Sequence, residues 1–267
     1  YYVSRKNRPA LEQRIKFWKK PKEVRMIVVK AGKRDIVNEA FRVLRTNFEF
    51  TIGTHPEQNV IVFTSFNPGS GKSHIAANMA MSLAIKKKKV LLIDGDLRHG
   101  STSMLIHSPG EGLSDYLNGR IADIHDILYK GEENGLVKNF DVIPIGTIPP
   151  NPSELLFTPL LEQMIKTMRE EYDYVFIDCP PIEVVADTPI YEQFADRTIF
   201  VVRAGLMERS MLPEIDALYK EKKFKNMTLI LNGTKARGGR YGSHYGYGYG
   251  YGYGYNYNKE KNGGAKS

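Results

Sequence analysis

An apolar run, Val60-Ile61-Val62-Phe63, leads into Pro68-Gly69-Ser70-Gly71-Lys72-Ser73, and an alanine-rich stretch with Ala76, Ala77, Ala80, Leu83 and Ala84 follows. This succession of strand, glycine turn and helix constrains the fold more than any other feature of the chain. Glycines let the backbone turn tightly, so that successive N–H groups converge on phosphate oxygens. The helix N-terminus adds its partial positive charge. Lys72 has the reach for β- and γ-phosphates, and the Ser73 hydroxyl suits Mg²⁺. With His74, which opens the helix, residues 68–74 form the candidate nucleotide-binding set. The full pattern places a glycine at position 66, where this chain has Phe66. The Gly-x-Gly-Lys-Ser core is intact.

Five more strand candidates share the character of the first (Asn59–Thr64): Lys89–Ile93, Asp141–Ile145, Asp173–Ile177, Thr198–Val202 and Met227–Leu231. Several are apolar almost throughout, as parallel strands buried on both faces require. Helical stretches separate them, at Lys72–Ile85, Ser153–Glu171 and Arg209–Lys223. A further helix precedes the first strand, with Phe41, Leu44 and Phe48 at three- and four-residue steps. The alternation predicts a doubly wound α/β fold, a mostly parallel sheet with helices on both faces, of the P-loop NTPase type. Ligands of such folds bind at the carboxyl ends of the strands. Two strands end there in acids: Leu91-Leu92-Ile93-Asp94-Gly95-Asp96 and Val175-Phe176-Ile177-Asp178. Beside a phosphate loop, three carboxylates supply the hard oxygen ligands that Mg²⁺ takes.

Charge and composition divide the chain further. Residues 1–34 hold twelve Lys/Arg against Glu12 and Glu23, a net +10 in a chain of +8, so the remainder is near neutral. Such an arm reads as a solvated linker or as a juxtamembrane segment held near anionic lipid; a nucleic-acid arm is the weakest reading, and no nucleic-acid partner is expected. No run of 18 apolar residues marks a transmembrane helix. The chain opens on Tyr1, which reads as a fragment whose membrane part lies upstream. One cysteine excludes an internal disulfide. The six histidines lack metal-ligand spacing. From Tyr241 to Tyr257 tyrosine alternates with glycine and small polar residues, and the stretch holds eight of the sixteen tyrosines. Without aliphatic side chains to bury, this tail is expected to be disordered. The organisation is thus a basic arm (1–35), a P-loop domain (36–235) and a tyrosine tail (236–267).

The combination resembles the bacterial tyrosine kinases (BY-kinases) of capsule and exopolysaccharide export, Wzc-like proteins and their free-standing cytoplasmic counterparts. The resemblance rests on Gly71-Lys72-Ser73, on Asp94-Gly95-Asp96-Leu97-Arg98, and on the strand ending in Asp178. It also rests on Glu39-Ala40-Phe41-Arg42-Val43-Leu44-Arg45, on Pro149-Pro150-Asn151-Pro152-Ser153-Glu154-Leu155-Leu156, and on the tyrosine cluster. Related partitioning and division-site ATPases carry a second lysine at the position of Asn67, which this chain lacks.

The resemblance implies an ATP- and Mg²⁺-dependent enzyme that phosphorylates tyrosines of its own kind in trans, at the cytoplasmic face of the membrane. Lys72 would hold phosphates; Ser73, Asp96 and Asp178 would hold Mg²⁺; Asp94 would be the base. The spacing of Asp94 and Asp96 by itself serves either assignment. Arg98 would offset transition-state charge, and Asn232, by fold analogy, would read the adenine edge. The acceptors would be Tyr241, Tyr245, Tyr247, Tyr249, Tyr251, Tyr253, Tyr255 and Tyr257. A Gly/Tyr coil of about ten to twenty-five residues reaches roughly 17–30 Å, enough to enter a neighbour's site. Glu39, Arg42 and Arg45 would dock on the next protomer and close a ring; a surface ion-pair ladder is the plainer reading. A membrane polysaccharide co-polymerase segment, in the same or another chain, and a tyrosine phosphatase are the implied partners. Eight phosphotyrosines would add roughly −12 to −16, enough to reverse the net charge and loosen a ring. The rival readings are an ATP-hydrolysing switch and a non-catalytic scaffold assembling through the tail. Asp187 matches a family position and equally suits a helix cap.

Overall fold

A computed structural model describes residues 26–52, 55, 57–184 and 187–234. Residues 1–25 of the basic arm and the tyrosines from Tyr241 to Tyr257 lie outside the described residues. Two compact units, Tyr1–Gly233 and Thr234–Ser267, divide the chain. In the first, β1 (Val60–Ser65), β2 (Val90–Asp94), β3 (Phe140–Ile143), β4 (Tyr174–Asp178), β5 (Arg197–Arg203) and β6 (Thr228–Asn232) form one sheet. Their order is β3-β2-β4-β1-β5-β6, and each of these pairings is parallel.

Alternation along the strands sends side chains to two cores. Val60, Val62, Leu91, Ile93, Val175 and Ile177 face one side, where α3 (Leu113–Leu117), α5 (Pro159–Glu171) and α6 (Thr188–Glu192) supply Leu113, Leu161, Met164 and Tyr191. Ile61, Phe63, Leu92 and Phe176 face the other, against Phe41 and Phe48 of α1 (Ile36–Ile52) and Met79 and Leu83 of α2 (Lys72–Ala84). A smaller core joins Phe200 to Ile215 of α7 (Leu212–Lys220) and to Phe224. No helix among the described residues is long and apolar enough to cross a membrane.

The predicted helix 153–171 is two helices, α4 (Pro152–Leu155) and α5, because Pro159 starts α5 at its first turn. The predicted helix from Arg209 opens as a 3₁₀ turn, Arg209–Met211, before α7. Between β2 and β3, where no element is legible in the sequence, α3 sits over the core. The buried Asp115 carboxylate fixes it by accepting the Gly112 and Thr147 amides at 2.9 and 3.2 Å.

The boundary at residue 35 needs correction, because the packed domain already includes Met26–Lys30. Asn78 of α2, fully buried, accepts the Val28 and Val29 amides at 2.8 and 3.1 Å and donates to the Met26 carbonyl at 2.7 Å. Val29 is buried in the core and the Lys30 amide is held by Asn38 at 2.8 Å.

Arg45 also departs from its expected place on an exposed ring-forming face. It is buried, and its guanidinium donates to the Ser82 carbonyl and hydroxyl at 3.0 Å each, with Glu49 at 3.6 Å. It therefore clamps α1 to α2 within one chain. The exposed Glu39 and the half-buried Arg42 do form a pair, at 3.2 Å. Arg45→Met should lower stability by roughly 1.5–3 kcal/mol, the cost of removing a charged donor from buried acceptors. Glu39→Ala should change it by a few tenths at most. Urea melts of both variants check this contrast.

Candidate active site

The phosphate loop leaves the carboxyl end of β1 and is held from outside. Arg203, at the end of β5, donates to the Gly69 carbonyl at 2.7 Å, and Asn232, at the end of β6, donates to the Ser70 carbonyl at 2.9 Å. A planar peptide that turns its C=O outward turns the next N–H inward. Among the described residues the backbone N–H groups of Ser70, Gly71, Lys72 and Ser73 have no protein acceptor. That is a row of donors at a helix start, ready for an anion. Gly71 has φ of 92°, and a Cβ there would meet the Asn232 amide nitrogen at 2.4 Å, so both conformation and space require glycine.

Asn232 reaches the loop, as its position after the last strand suggested, but as a brace. Its Nδ2 is engaged by Ser70 and its Oδ1 accepts the Gly233 amide at 2.8 Å. These bonds leave one Nδ2 hydrogen and one Oδ1 lone pair of Asn232 uncommitted. Asn67 lies on the loop's outer side, where its amide donates to Glu183 at 2.7 Å.

Lys72 and the three predicted acids do come together. The Lys72 ammonium is buried, 3.6 Å from Asp178 Oδ1 and 3.4 Å from the Ser73 hydroxyl. Asp94 and Asp178 face each other in register across β2 and β4, and both are fully buried. Asp94 Oδ2 accepts the Ser103 amide and hydroxyl, both at 2.7 Å. Asp178 Oδ2 accepts the Thr102 hydroxyl at 2.6 Å. Among the described residues the second oxygen of each, Asp94 Oδ1 and Asp178 Oδ1, has no hydrogen-bond donor. Asp96, also buried, receives the Arg98 amide at 3.3 Å and lies 3.3 Å from His99 Nδ1.

The electrostatics follow from this crowding. Burial, and then the charge of Asp178, push the Asp94 carboxyl up to about 7. Burial alone would lower the Lys72 pKa, yet it is raised, because Asp178, Asp96 and Asp94 together outweigh desolvation. Two orphaned carboxylate oxygens beside one lysine leave the cluster short of positive charge. Among the described residues no three His, Cys, Asp or Glu side chains make a metal cage. The hard oxygens of Ser73, Asp96 and Asp178 nonetheless suit Mg²⁺, which is usually held by one or two carboxylates plus water and substrate phosphate.

Arg98 is steered sideways. It donates to the Ser153 hydroxyl at 2.8 Å and to Asp187 at 3.3 Å, and Ser153 donates to Asp187 at 2.5 Å. Asp187 precedes α6 without capping it by its side chain; its carboxylate is spent on Arg98 and Ser153. His74 packs edge-on against Phe41 with ring centroids 6.1 Å apart, and burial lowers its pKa. A cavity of about 470 Å³ opens over Gly69, Gly71, Lys72, Ser73, Asp96 and Arg98. Sequence reasoning missed Thr102 and Ser103, which orient Asp178 and Asp94. The run of hydroxyls Ser101-Thr102-Ser103 after Gly100 was the available signal.

Known proteins share this sequence and this fold. The family described as AAA domain matches residues 58–223. The tyrosine-protein kinase CpsD of Streptococcus agalactiae is 34% identical over 208 residues, covering 77% of this chain and 87% of that protein. The tyrosine-protein kinase wzc of Salmonella typhimurium is 37% identical over 195 residues, covering 71% of this chain but 26% of that protein. The chain thus spans about a quarter of the longer relatives it matches. The solved kinase domain of Escherichia coli tyrosine kinase ETK superposes with a TM-score of 0.67 at 33% identity, covering 79% of this chain and 80% of that one. The septum site-determining protein MinD of Pyrococcus horikoshii, complexed with Mg-ADP, shares the fold, with a TM-score of 0.52 at 24% identity over 65% of this chain and 69% of that one.

Proposed function

This chain belongs to the bacterial tyrosine-protein kinases, and from that premise we propose that it transfers the γ-phosphoryl group of Mg·ATP to tyrosines of the cluster Tyr241–Tyr257 on another copy of itself. The observation that carries the reading is the buried Lys72 facing Asp94, Asp96 and Asp178 at the end of a donor-rich phosphate loop. Phosphoryl transfer is mostly positioning and charge neutralisation. The free amides of Ser70–Ser73 and the Lys72 ammonium bind and orient the β- and γ-phosphates. Ser73, Asp96 and Asp178 hold Mg²⁺, which when bound supplies charge neutralisation on the phosphates. Asp94 accepts the tyrosine proton at its free Oδ1; a carboxyl near 7 is basic enough for that task at neutral pH. Arg98, braced by Asp187 and Ser153, presents positive charge at the cavity edge.

Relatives of two lengths support a role in capsule or exopolysaccharide polymerisation and export at the cytoplasmic face of the membrane. In the long ones the matched part is a fraction of a larger protein; in CpsD it is nearly the whole. A membrane co-polymerase segment, in the same chain or a partner, and a tyrosine phosphatase complete the cycle. The exposed Glu39, with the half-buried Arg42 paired to it, is the part of this motif left to contact a second protomer in a ring. The switch-ATPase reading loses ground at Asn67, where the second lysine would stand.

Intact-mass analysis of purified protein tests the reading. Incubation with Mg·ATP should give a ladder of single-phosphate steps that maps to residues 236–267 and collapses on phosphatase treatment. Release of free phosphate without any ladder would leave hydrolysis as the activity and discard the kinase.

A further inference from the structure

At the opposite end of the sheet lies a second cavity, of about 650 Å³, that the phosphoryl-transfer chemistry does not use. It is lined by Arg197, Tyr219, Lys220, Lys222, Phe224 and Lys225 among others, and among the described residues no Asp or Glu lines it. Arg197 is the first residue of β5, whereas Arg203, which holds the phosphate loop, is the last. Six strand steps of about 3.3 Å put the two ends roughly 20 Å apart.

Arg197 is the unusual group. It is only 9% exposed; among the described residues its Nε has no hydrogen-bond partner, and its side chain makes one long bond, from Nη2 to the Thr51 carbonyl at 3.4 Å. The acids close to it in sequence are committed elsewhere. Asp196 pairs with Arg169 at 2.8 Å, and Glu192 accepts the Thr198 hydroxyl and the Lys225 amide. Burial lowers the Arg197 pKa, with no opposing contribution from any carboxylate. A buried Nε–H that finds no acceptor among the described residues is costly, and an anion in the recess would meet it.

The rest of the recess indicates what kind of anion. Lys222 is exposed on the α7–β6 loop, and the Lys225 ammonium donates to the Gln193 carbonyl at 2.8 Å, with the Glu192 carboxylate near enough to feel its charge. The loop is fixed by left-handed backbone at Lys222 and Asn226, with φ of 53° and 44°. The Tyr219 ring is 63% exposed beside buried Phe224, so an aromatic wall stands next to the cations. An arginine fork fits phosphate oxygens bidentately, and an aromatic wall suits a ring carrying that phosphate.

We propose that this recess is a second anion site that takes a phosphotyrosine side chain presented by another copy of the chain. The dianion would sit on Arg197, Lys222 and Lys225, with its ring against Tyr219. The inference deepens the kinase reading and rests on it, since phosphotyrosine is that reaction's product. The site would hold modified segments away from the nucleotide end.

Full-length protein, phosphatase-treated and free of nucleotide, should be titrated with a Gly/Tyr peptide carrying one phosphotyrosine. Binding is expected with the phosphopeptide and absent with its unphosphorylated form. Arg197→Met and Lys222→Glu should each weaken it at least tenfold; Lys222 is exposed, so its variant tests the site even if the Arg197 variant fails to fold. Phosphopeptide affinity unchanged in Lys222→Glu would overturn the proposal. So would binding to vesicles of 20% phosphatidylserine, lost in the same variant, without any phosphopeptide binding: the anion would then be lipid. A phosphate ladder that forms normally while the peptide fails to bind sinks this site alone. A missing ladder sinks the kinase reading instead.

Discussion

Lys72→Met protein incubated with Mg·ATP should stay at its unmodified mass, with phosphate transfer at least about a hundredfold below the unsubstituted chain. The side chain contributes a charge that no neighbour replaces, since Lys72 is the cation set against Asp178 in the buried cluster. A second effect separates this from simple loss of substrate contact. Removing one partner of a buried ion pair strands the other, a loss on the order of 3 kcal/mol. Lys72→Met should therefore melt earlier than the unsubstituted protein without nucleotide or metal, although methionine preserves most of the volume. Denaturation in EDTA checks it. Equal stability of the two proteins would mean that Lys72 does not neutralise the acids in the resting state. Asp94→Asn should stabilise the Lys72→Met protein more than it stabilises the unsubstituted one, because it then removes a charge that Lys72 no longer screens. A coupling of that sign is expected only between neighbours.

The strands and the phosphate loop were legible because their signal is local. Val60–Phe63 and Val90–Ile93 are continuous apolar runs, and burial on both faces admits little else. The convergence of Lys72, Asp94 and Asp178 was also readable, since each ends or follows a buried strand and parallel order puts those ends on one side. What failed depends on neighbours distant in sequence. Arg45 looks like a surface residue by helical phase, but Ser82 of α2 lies within its reach and captures it. That Asn232 would also brace the phosphate loop was not legible, because the Gly71 turn that brings the Ser70 carbonyl against its amide lies some 160 residues away. Nothing in the spacing of Met26–Lys30 announces that Asn78, some fifty residues on, will bind its backbone. Thr102 and Ser103 are missed for the same reason: hydroxyls in a loop declare no target until the carboxylates they serve are placed.

Asp94→Asn should lose at least about a hundredfold in transfer while making the metal-free protein more stable, and the second result is the more discriminating. In the folded chain burial and Asp178 raise the Asp94 carboxyl to about 7, from 3.8 in an exposed chain. A raised carboxyl is favoured in its protonated form, so its contribution to stability is complete below about 3.8. That contribution fades as pH rises and is gone above about 7. The variant has no such dependence at this position. The stability gap between Asp94→Asn and the unsubstituted protein should therefore be small near pH 4, widen through pH 5 to 7, and level off at roughly 2–4 kcal/mol in favour of the variant. Geometry favours the exchange: the Asn carbonyl can keep the Ser103 donors, while its amide takes the place of Asp94 Oδ1 and can serve the orphaned Asp178 Oδ1 across the strand pair. Urea denaturation in EDTA at pH 5, 6.5 and 8 measures the gap, and parallel stability profiles would show that Asp94 ionises as freely folded as unfolded, removing its claim to be the base. The rate of the unsubstituted enzyme should climb as pH rises through about 7, because only the ionised carboxylate accepts a proton. Catalysis and resting stability thus pull Asp94 in opposite directions, and a charge that weakens the empty domain is retained because the tyrosine proton needs somewhere to go.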